Sequence, residues 1–244
     1  MTRYLLITVL AILGTVTGCV NADDSHNRDS GVASKSEEAS TDDETNTVNG
    51  SVNVKAGQKK GDLSTVNGSI RIDDNAIVAG AQTVNGSISL GAGATADSAN
   101  SVNGAITLAD GARVLHAVSA VNGSLTLHRG ADVAGSLTNV NGHIVLESAH
   151  VGGGINTVSG DIDIGSNSRV AGGILVKEED HSVFWFFRWK SSSVPRVVIG
   201  PGAIVQGELR FRRRVRLFIS DSATVGPISG ATAVTFTGAK PPEQ

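Results

Sequence analysis

A chain of 244 residues with 30 glycines but only nine Phe, Tyr and Trp residues has little bulk for a thick core. Its single cysteine excludes an intramolecular disulfide and any multi-cysteine zinc site. The net charge of −3 conceals an acidic front and a basic end, which are separate features of the chain.

The first segment has the layout of a secretory signal. Arg3 is followed by a mostly apolar run, residues 5–16, that is too short for an ordinary membrane span. The small residues Val16-Thr17-Gly18 then precede Cys19, and this ending resembles the bacterial lipobox. The resemblance implies cleavage of a signal peptide over residues 1–18 and lipidation of the Cys19 thiol. Several acyl chains there would anchor the protein stably, since one chain alone holds only marginally. The expected address is the cell envelope, and the absence of Asp after the cysteine implies the outer membrane if the cell is Gram-negative. Residues 19–46 then read as an acidic disordered tether. From Val20 onward this stretch carries Asp23, Asp24, Asp29, Glu37, Glu38, Asp42, Asp43 and Glu44 against Arg28 and Lys35, with almost no large apolar side chain. Its root-mean-square reach is roughly 25–30 Å.

Next come seven copies of one phrase: TVNGSV from Thr47, TVNGSI from Thr65 and Thr83, SVNGAI from Ser101, AVNGSL from Ala120, NVNGHI from Asn139 and TVSGDI from Thr157. Their starts are 18, 18, 18, 19, 19 and 18 residues apart, a period that marks a repeat architecture. Aliphatic side chains recur at steps of six, as in Val66-Ile72-Val78-Val84, so each repeat has three short sides. Within a side, apolar and polar residues alternate as in a strand (Ile70-Arg71-Ile72). Asn-Gly between short strands is also a hairpin signal, so a meander or propeller competes. The other corners are composed differently, and the favoured fold is an all-β, single-stranded, three-sided β-solenoid with about nine parallel rungs, roughly 40 Å long at ~4.8 Å per rung.

That fold assigns roles to the phrase. Asn and Gly suit a corner that requires φ > 0. Asn49, Asn67, Asn85, Asn103, Asn122 and Asn141 form a stacked ladder of amides. Val48, Val66, Val84, Val102, Val121, Val140 and Val158 form a buried column beside it. The 19-residue repeats absorb the extra residue at a corner, because a one-residue slip would turn a strand inside out.

Phrases such as Gly130-Ala131-Asp132-Val133-Ala134-Gly135 and Gly202-Ala203-Ile204-Val205-Gln206-Gly207 resemble the bactofilins, bacterial β-helices that polymerise. The TVNGSI and TVSGDIDI phrases are similar to the adhesin-type β-solenoids of bacterial envelopes. Together the resemblances cover roughly residues 47–228 and imply a right-handed coil. Export and lipidation depart from the bactofilin pattern.

The repeat region 47–176 gives way to an aromatic-rich insertion loop, 177–195, which holds Phe184, Trp185, Phe186, Phe187 and Trp189. The solenoid resumes over 196–237, and a disordered tail is expected over 238–244. From Phe184 to Phe218 eight basic residues face one acidic residue, Glu208. Either this region caps the rod, with its arginines alternating outward, or it meets a partner. The candidate contact residues are Trp185, Phe186, Trp189, Arg210, Arg212, Arg213, Arg214 and Arg216, facing a membrane, an anionic lipid, a polysaccharide or a protein. Nucleic acid is not an expected partner of an exported lipoprotein.

No catalytic constellation, metal site or cofactor motif is expected. Six scattered histidines show no metal-like spacing. Asp73/Asp74 and Asp161/Asp163 are carboxylate pairs of the kind found in polysaccharide lyases and glycosidases, but they read as solvated charges. Gly152-Gly153-Gly154 lacks the lysine and helix of a phosphate loop. The expectation is a non-enzymatic structural, self-assembling or adhesive module anchored in the envelope, with a polysaccharide-binding or polysaccharide-cleaving rod as the alternative.

Overall fold

A computed structural model describes residues 44–178 and 194–242. Compact contacts divide the chain into Met1–Ser40 and Thr41–Gln244, and all described residues belong to the second unit. Cys19, the tether up to residue 43, and Trp185, Phe186 and Trp189 lie outside the described residues.

The described residues form strands and no helix. Every strand pairs in parallel with its equivalents in the neighbouring rungs, on both sides except in the first and last described rungs, as Ile70↔Ile88 and Ile88↔Ile106 illustrate. The result is a three-sided β-solenoid. The first face carries the strands that lead into the VNG phrase, such as Leu63–Asn67 and Val118–Asn122. The second face is a ten-stranded sheet running from Val52–Val54 to Ala233–Phe236. The third face carries two-residue strands such as Arg113–Val114 and Arg169–Val170. Ten rungs replace the expected nine, the strand Ala233–Phe236 supplying the last.

Alternation on these short strands builds a thin core. On the second face Ile70 and Ile72 point inward around exposed Arg71; on the third, Ala76 and Val78 do the same. Complete burial of a side chain such as Ile70 contributes about 2–3 kcal/mol. The extra residue of the 19-residue repeats sits at a corner, as expected. Val114 to Val118 spans one residue more than Ala96 to Ala99, yet the strands on both sides stay in register. The three-residue version of that corner lets one strand, Thr95–Asn103, run unbroken around it.

Two expectations fail. The valines of the VNG phrase are not a buried column. Leu63 and Thr65 point inward, so Ser64 and Val66 face out; Val48 is 55% exposed and Val66 37%. The inward column is instead Thr65, Thr83, Ser101, Ala120, Asn139 and Thr157. Three of its hydroxyls are satisfied by the corner itself: Thr65 Oγ1 donates to the Gly50 carbonyl at 3.0 Å, Thr83 Oγ1 to that of Gly68 at 2.9 Å and Ser101 Oγ to that of Gly86 at 3.1 Å. Once that acceptor is supplied, a threonine is buried without a desolvation penalty.

The second failure concerns φ. The Asn residues of the VNG corner have no positive φ, and four of its glycines (Gly68, Gly86, Gly104 and Gly123) do not either. Those glycines answer a close approach: a Cβ on Gly86 would lie 2.0 Å from the Gly68 carbonyl oxygen. Left-handed backbone is found at the corner between the second and third faces in most rungs, at Gly93, Gly111 and Gly130 among others, with Asn75, Ser148 and Asn167 at the equivalent place.

Candidate functional site

The corner between the first and second faces carries both the regular ladder and its interruption. Asn67 Nδ2 donates to Asn49 Oδ1 at 3.0 Å, and the chain of amides continues through Asn85, Asn103 and Asn122 at 2.9–3.0 Å. Asn141 follows in strand register with Asn122. Beneath each amide a corner amide bonds the next rung, as Gly86 N does to the Asn103 carbonyl at 3.1 Å. This column joins rungs and leaves few corner groups for anything else.

Between the strands Ile174–Val176 and Arg196–Ile199 the corner is replaced. Val176 pairs with Thr157 and Val197 with Ile162, so residues 177–196 stand where residues 158–161 stand one rung earlier. The aromatic insertion therefore leaves and re-enters at the VNG corner. Asp161 Oδ1 accepts the Arg196 amide at 2.8 Å, which fixes the point of re-entry.

The arginines gather around this gap. Arg196 and Arg216 are register partners on adjacent rungs, and the Arg196 guanidinium carbon lies 5.3 Å from the centroid of the Phe218 ring, a cation–π contact. Arg213 Nη1 donates to the Val158 carbonyl at 3.1 Å. One rung earlier the corresponding carbonyl, of Val140, is taken by the Ser159 amide. The arginine thus supplies a donor where the regular corner is missing, and so breaks the outward alternation of its neighbours. Arg212, Arg214 and Arg216 are exposed while Phe211 and Leu217 are buried. Arg210 is bound to Glu208 at 2.6 and 3.3 Å, and Ser229 Oγ donates to the same carboxylate at 2.8 Å. The Arg210 bond first, then that from Ser229, holds the Glu208 carboxyl below its usual range, and Arg210 keeps its proton more tightly in return.

The acidic pairs do not converge on a shared centre. Asp73 accepts Arg71 Nε at 2.9 Å, and Asp74 accepts the Ala92 amide at 2.8 Å, tying a turn to the next rung. Asp161 holds the Arg196 amide. Asp163 projects from the outer side of the second face beside Val145 and Val198. The residue as a whole is exposed, but its carboxylate has lost enough water for desolvation to raise its pKa above the usual value. Arg196 and Lys240 oppose the rise and Glu147 adds to it.

Two histidines hydrogen-bond carboxylates across rungs, His128 Nδ1 with Glu147 at 2.8 Å and His150 Nδ1 with Asp132 at 2.5 Å, while His143 Nδ1 lies 3.8 Å from Asp161. The rung holding Glu147 and His150 is thereby fastened to the one before it at two points. Among the described residues no group of three or more His, Cys, Asp or Glu could hold a metal ion. The triple glycine is a packing device: a Cβ on Gly152 would lie 2.4 Å from the Ala134 carbonyl oxygen. A surface groove of about 560 Å³ lies along another corner, lined by Asn167, Gly202, Asp221 and Ala239 among others.

Sequence reasoning missed the pinning roles of Arg213 and Asp161. Their partners lie 55 and 35 residues away, and the only available signal was the break in alternation at Arg213. No family model matches the chain, nor does any curated protein or solved structure.

Proposed function

We propose that this chain is a lipid-anchored envelope protein whose β-solenoid serves as a non-enzymatic structural, self-assembling or adhesive module. Cys19 would carry the lipid, residues 19–44 the tether, two residues shorter than expected because Thr45–Asn49 is already a strand paired with Leu63–Asn67, and the outer membrane would be the destination in a Gram-negative cell. The observation that carries the reading is how the polar side chains are spent. The corner amides, Asp74, Asp161, His128 and His150 all bind one rung to another. Side chains used in this way lengthen and stiffen a rod. The likeness of the Gly-Ala and TVNGSI phrases to bactofilins and adhesin-type solenoids supports the same class. So do the two ends of the second face, where, among the described residues, Val52–Val54 and Ala233–Phe236 each have a strand on one side only.

Membrane fractionation tests the anchor. Cys19→Ala should move the protein from the membrane to the soluble fraction with loss of the acyl mass; unchanged retention and mass would refute it. The exposed arginines beside the insertion are the proposed contact for anionic lipid. Replacing Trp185 and Trp189 with alanine should weaken binding to vesicles rich in anionic lipid, and equal binding would leave those residues a capping role.

A second reading, a polysaccharide-binding or polysaccharide-cleaving rod, is favoured by the raised proton affinity of Asp163 two residues from Asp161. A glycan screen with a turnover assay separates the two. Cleavage abolished by Asp163→Asn would establish the enzyme, and absence of turnover across the screen would leave the structural module.

A further inference from the structure

The valines that face outward make a surface with a use. We propose that the first face of the rod pairs side by side with the same face of a second copy of this chain. This rests on the reading of the protein as an assembling module and names the surface and the partner.

Four observations carry it. First, the seven valines from Val48 to Val158 form one outward column, and the column beside it is Ser64, Gln82, Asn100, Ser119, Thr138 and Asn156 below Asn46. Neither column holds a charge through seven rungs. The outward positions of the other faces do, at Arg71 and Asp163 on the second and at Arg113, Asp132 and Arg169 on the third.

Second, the margin of the surface is low. The next column toward the third face is made of small residues, Gly80, Ser98, Ala117, Ser136 and Gly154, and only Asp62 at its upper margin is charged. Third, the face has a defined end. After Val158 the valine position passes to Lys177, and the polar position passes through Leu175 to Arg210. The uncharged stretch therefore stops where the arginine corner begins.

Fourth, the repeat selects the occupant. The columns recur every ~4.8 Å, and a second stacked β-coil matches that spacing rung for rung, so that valine methyls interdigitate along the whole length. A surface with neither cation nor aromatic offers nothing to an anionic lipid or to a sugar ring. Six steps of ~4.8 Å by about 14 Å of strand width give on the order of 400 Å² per copy. The total, on the order of 800 Å², falls below the ~1,200 Å² of stable complexes. The pairing is accordingly weak in solution and is strengthened when both copies share a membrane, through their effective concentration.

In a two-fold pair that sets valine against valine, Val102, the fourth of the seven, meets its own counterpart. The test uses the full-length chain carrying Cys19→Ser, so that an introduced thiol is the only one present. Val102→Cys should give a disulfide-linked dimer on mild oxidation, and Thr107→Cys, on the second face, should give at least tenfold less. In sedimentation up to millimolar concentration, Val84→Lys, Val102→Lys and Val121→Lys combined should raise the dimer dissociation constant at least tenfold. The strand signal in circular dichroism should stay unchanged, because these side chains lie outside the core cluster and the repulsion between the stacked lysines acts at the surface. Equal crosslinking at positions 102 and 107 would overturn the proposal. So would association undiminished in the lysine variant, an outcome that leaves the assembly reading standing through the rod ends. A wild-type chain that stays monomeric throughout overturns it as well and gives the face to another occupant, while the Cys19 fractionation still judges the anchored module on its own.

Discussion

At the residue scale, the inward column of the first face shows how one polar atom disturbs its neighbour. Asn139 stands where the other rungs hold Thr, Ser or Ala, and its Nδ2 donates to two carbonyls, Gly123 at 2.9 Å and Gly142 at 3.1 Å. By the pattern of Thr65 and Thr83, the second of these belongs to the hydroxyl of Thr157. As a result Thr157 Oγ1 and Asn139 Oδ1 are both buried without a partner. A buried unsatisfied group costs about 1–3 kcal/mol. Asn139→Thr returns Gly142 to Thr157 and gives Gly123 a hydroxyl donor, and it should raise the melting temperature by roughly 3–6 °C at 2–4 °C per kcal/mol. A calorimetric scan showing no rise would mean that the two amide bonds outweigh the atoms left unpaired. Asp163 makes a second prediction with a pH signature. Its folded pKa is raised, so its favourable contribution is complete at low pH and is lost as pH climbs through the raised value. Asp163→Asn should therefore stabilise the rod by about 1–2 °C at pH 7, a small figure because solvent screens the group. The difference should vanish below about pH 4, where the wild-type side chain is already protonated; a gain that persists there would point to another cause.

At the element scale, the two kinds of corner should respond differently to one methyl group. Gly86→Ala places a Cβ 2.0 Å from the Gly68 carbonyl oxygen, and both atoms belong to stacked backbone that cannot move without breaking rung spacing. A cost of about 3 kcal/mol is expected, near the upper range for overpacking. Gly111→Ala meets nothing within 4 Å but sits at φ +68°. Its cost is the ~1–2 kcal/mol of left-handed backbone alone, and Gly111→Asn should recover part of it, as Asn75 and Asn167 already do at that corner. Urea titration of the three variants checks the order; equal losses for Gly86→Ala and Gly111→Ala would contradict it. This distinction was not legible beforehand. An Asn-Gly phrase signals positive φ in an isolated turn, and nothing local to it encodes that an identical phrase stacks against it at van der Waals distance. The valines were misplaced for a related reason. Thr and Val have similar shape and strand preference, so a step of six fits either column. Only the carbonyl supplied by the rung above decides that the hydroxyl goes inside.

At the scale of the molecule, what the sequence carried was periodicity: the rung length, the three sides and the corner that takes up the extra residue all follow from it. What it could not carry were contacts between unlike rungs, such as Arg213 to Val158, which arise where the repeat fails. The insertion is the sharpest test of that division. Val176 keeps register with Thr157 above and Phe211 below, and Val197 keeps it with Ile162 and Leu217. The strands on both sides of residues 177–196 therefore stack as though the insertion were an ordinary corner. Replacing residues 178–195 with a short Asn-Gly corner should leave a folded rod, with strand circular dichroism and a melting temperature within about 5 °C of the parent. The new corner amide would compete with Arg213 for the Val158 carbonyl. In a solenoid each rung contacts only its neighbours, so any loss should stay local. Hydrogen exchange gives the decisive measurement: protection of Ile88, Leu108 and Leu127, several rungs away, should be unchanged, while that of Val197–Ile199 and Leu217–Ile219 reports the graft. Loss of protection along the whole rod would show that the insertion nucleates the fold, and the expected independence of rungs would then fail.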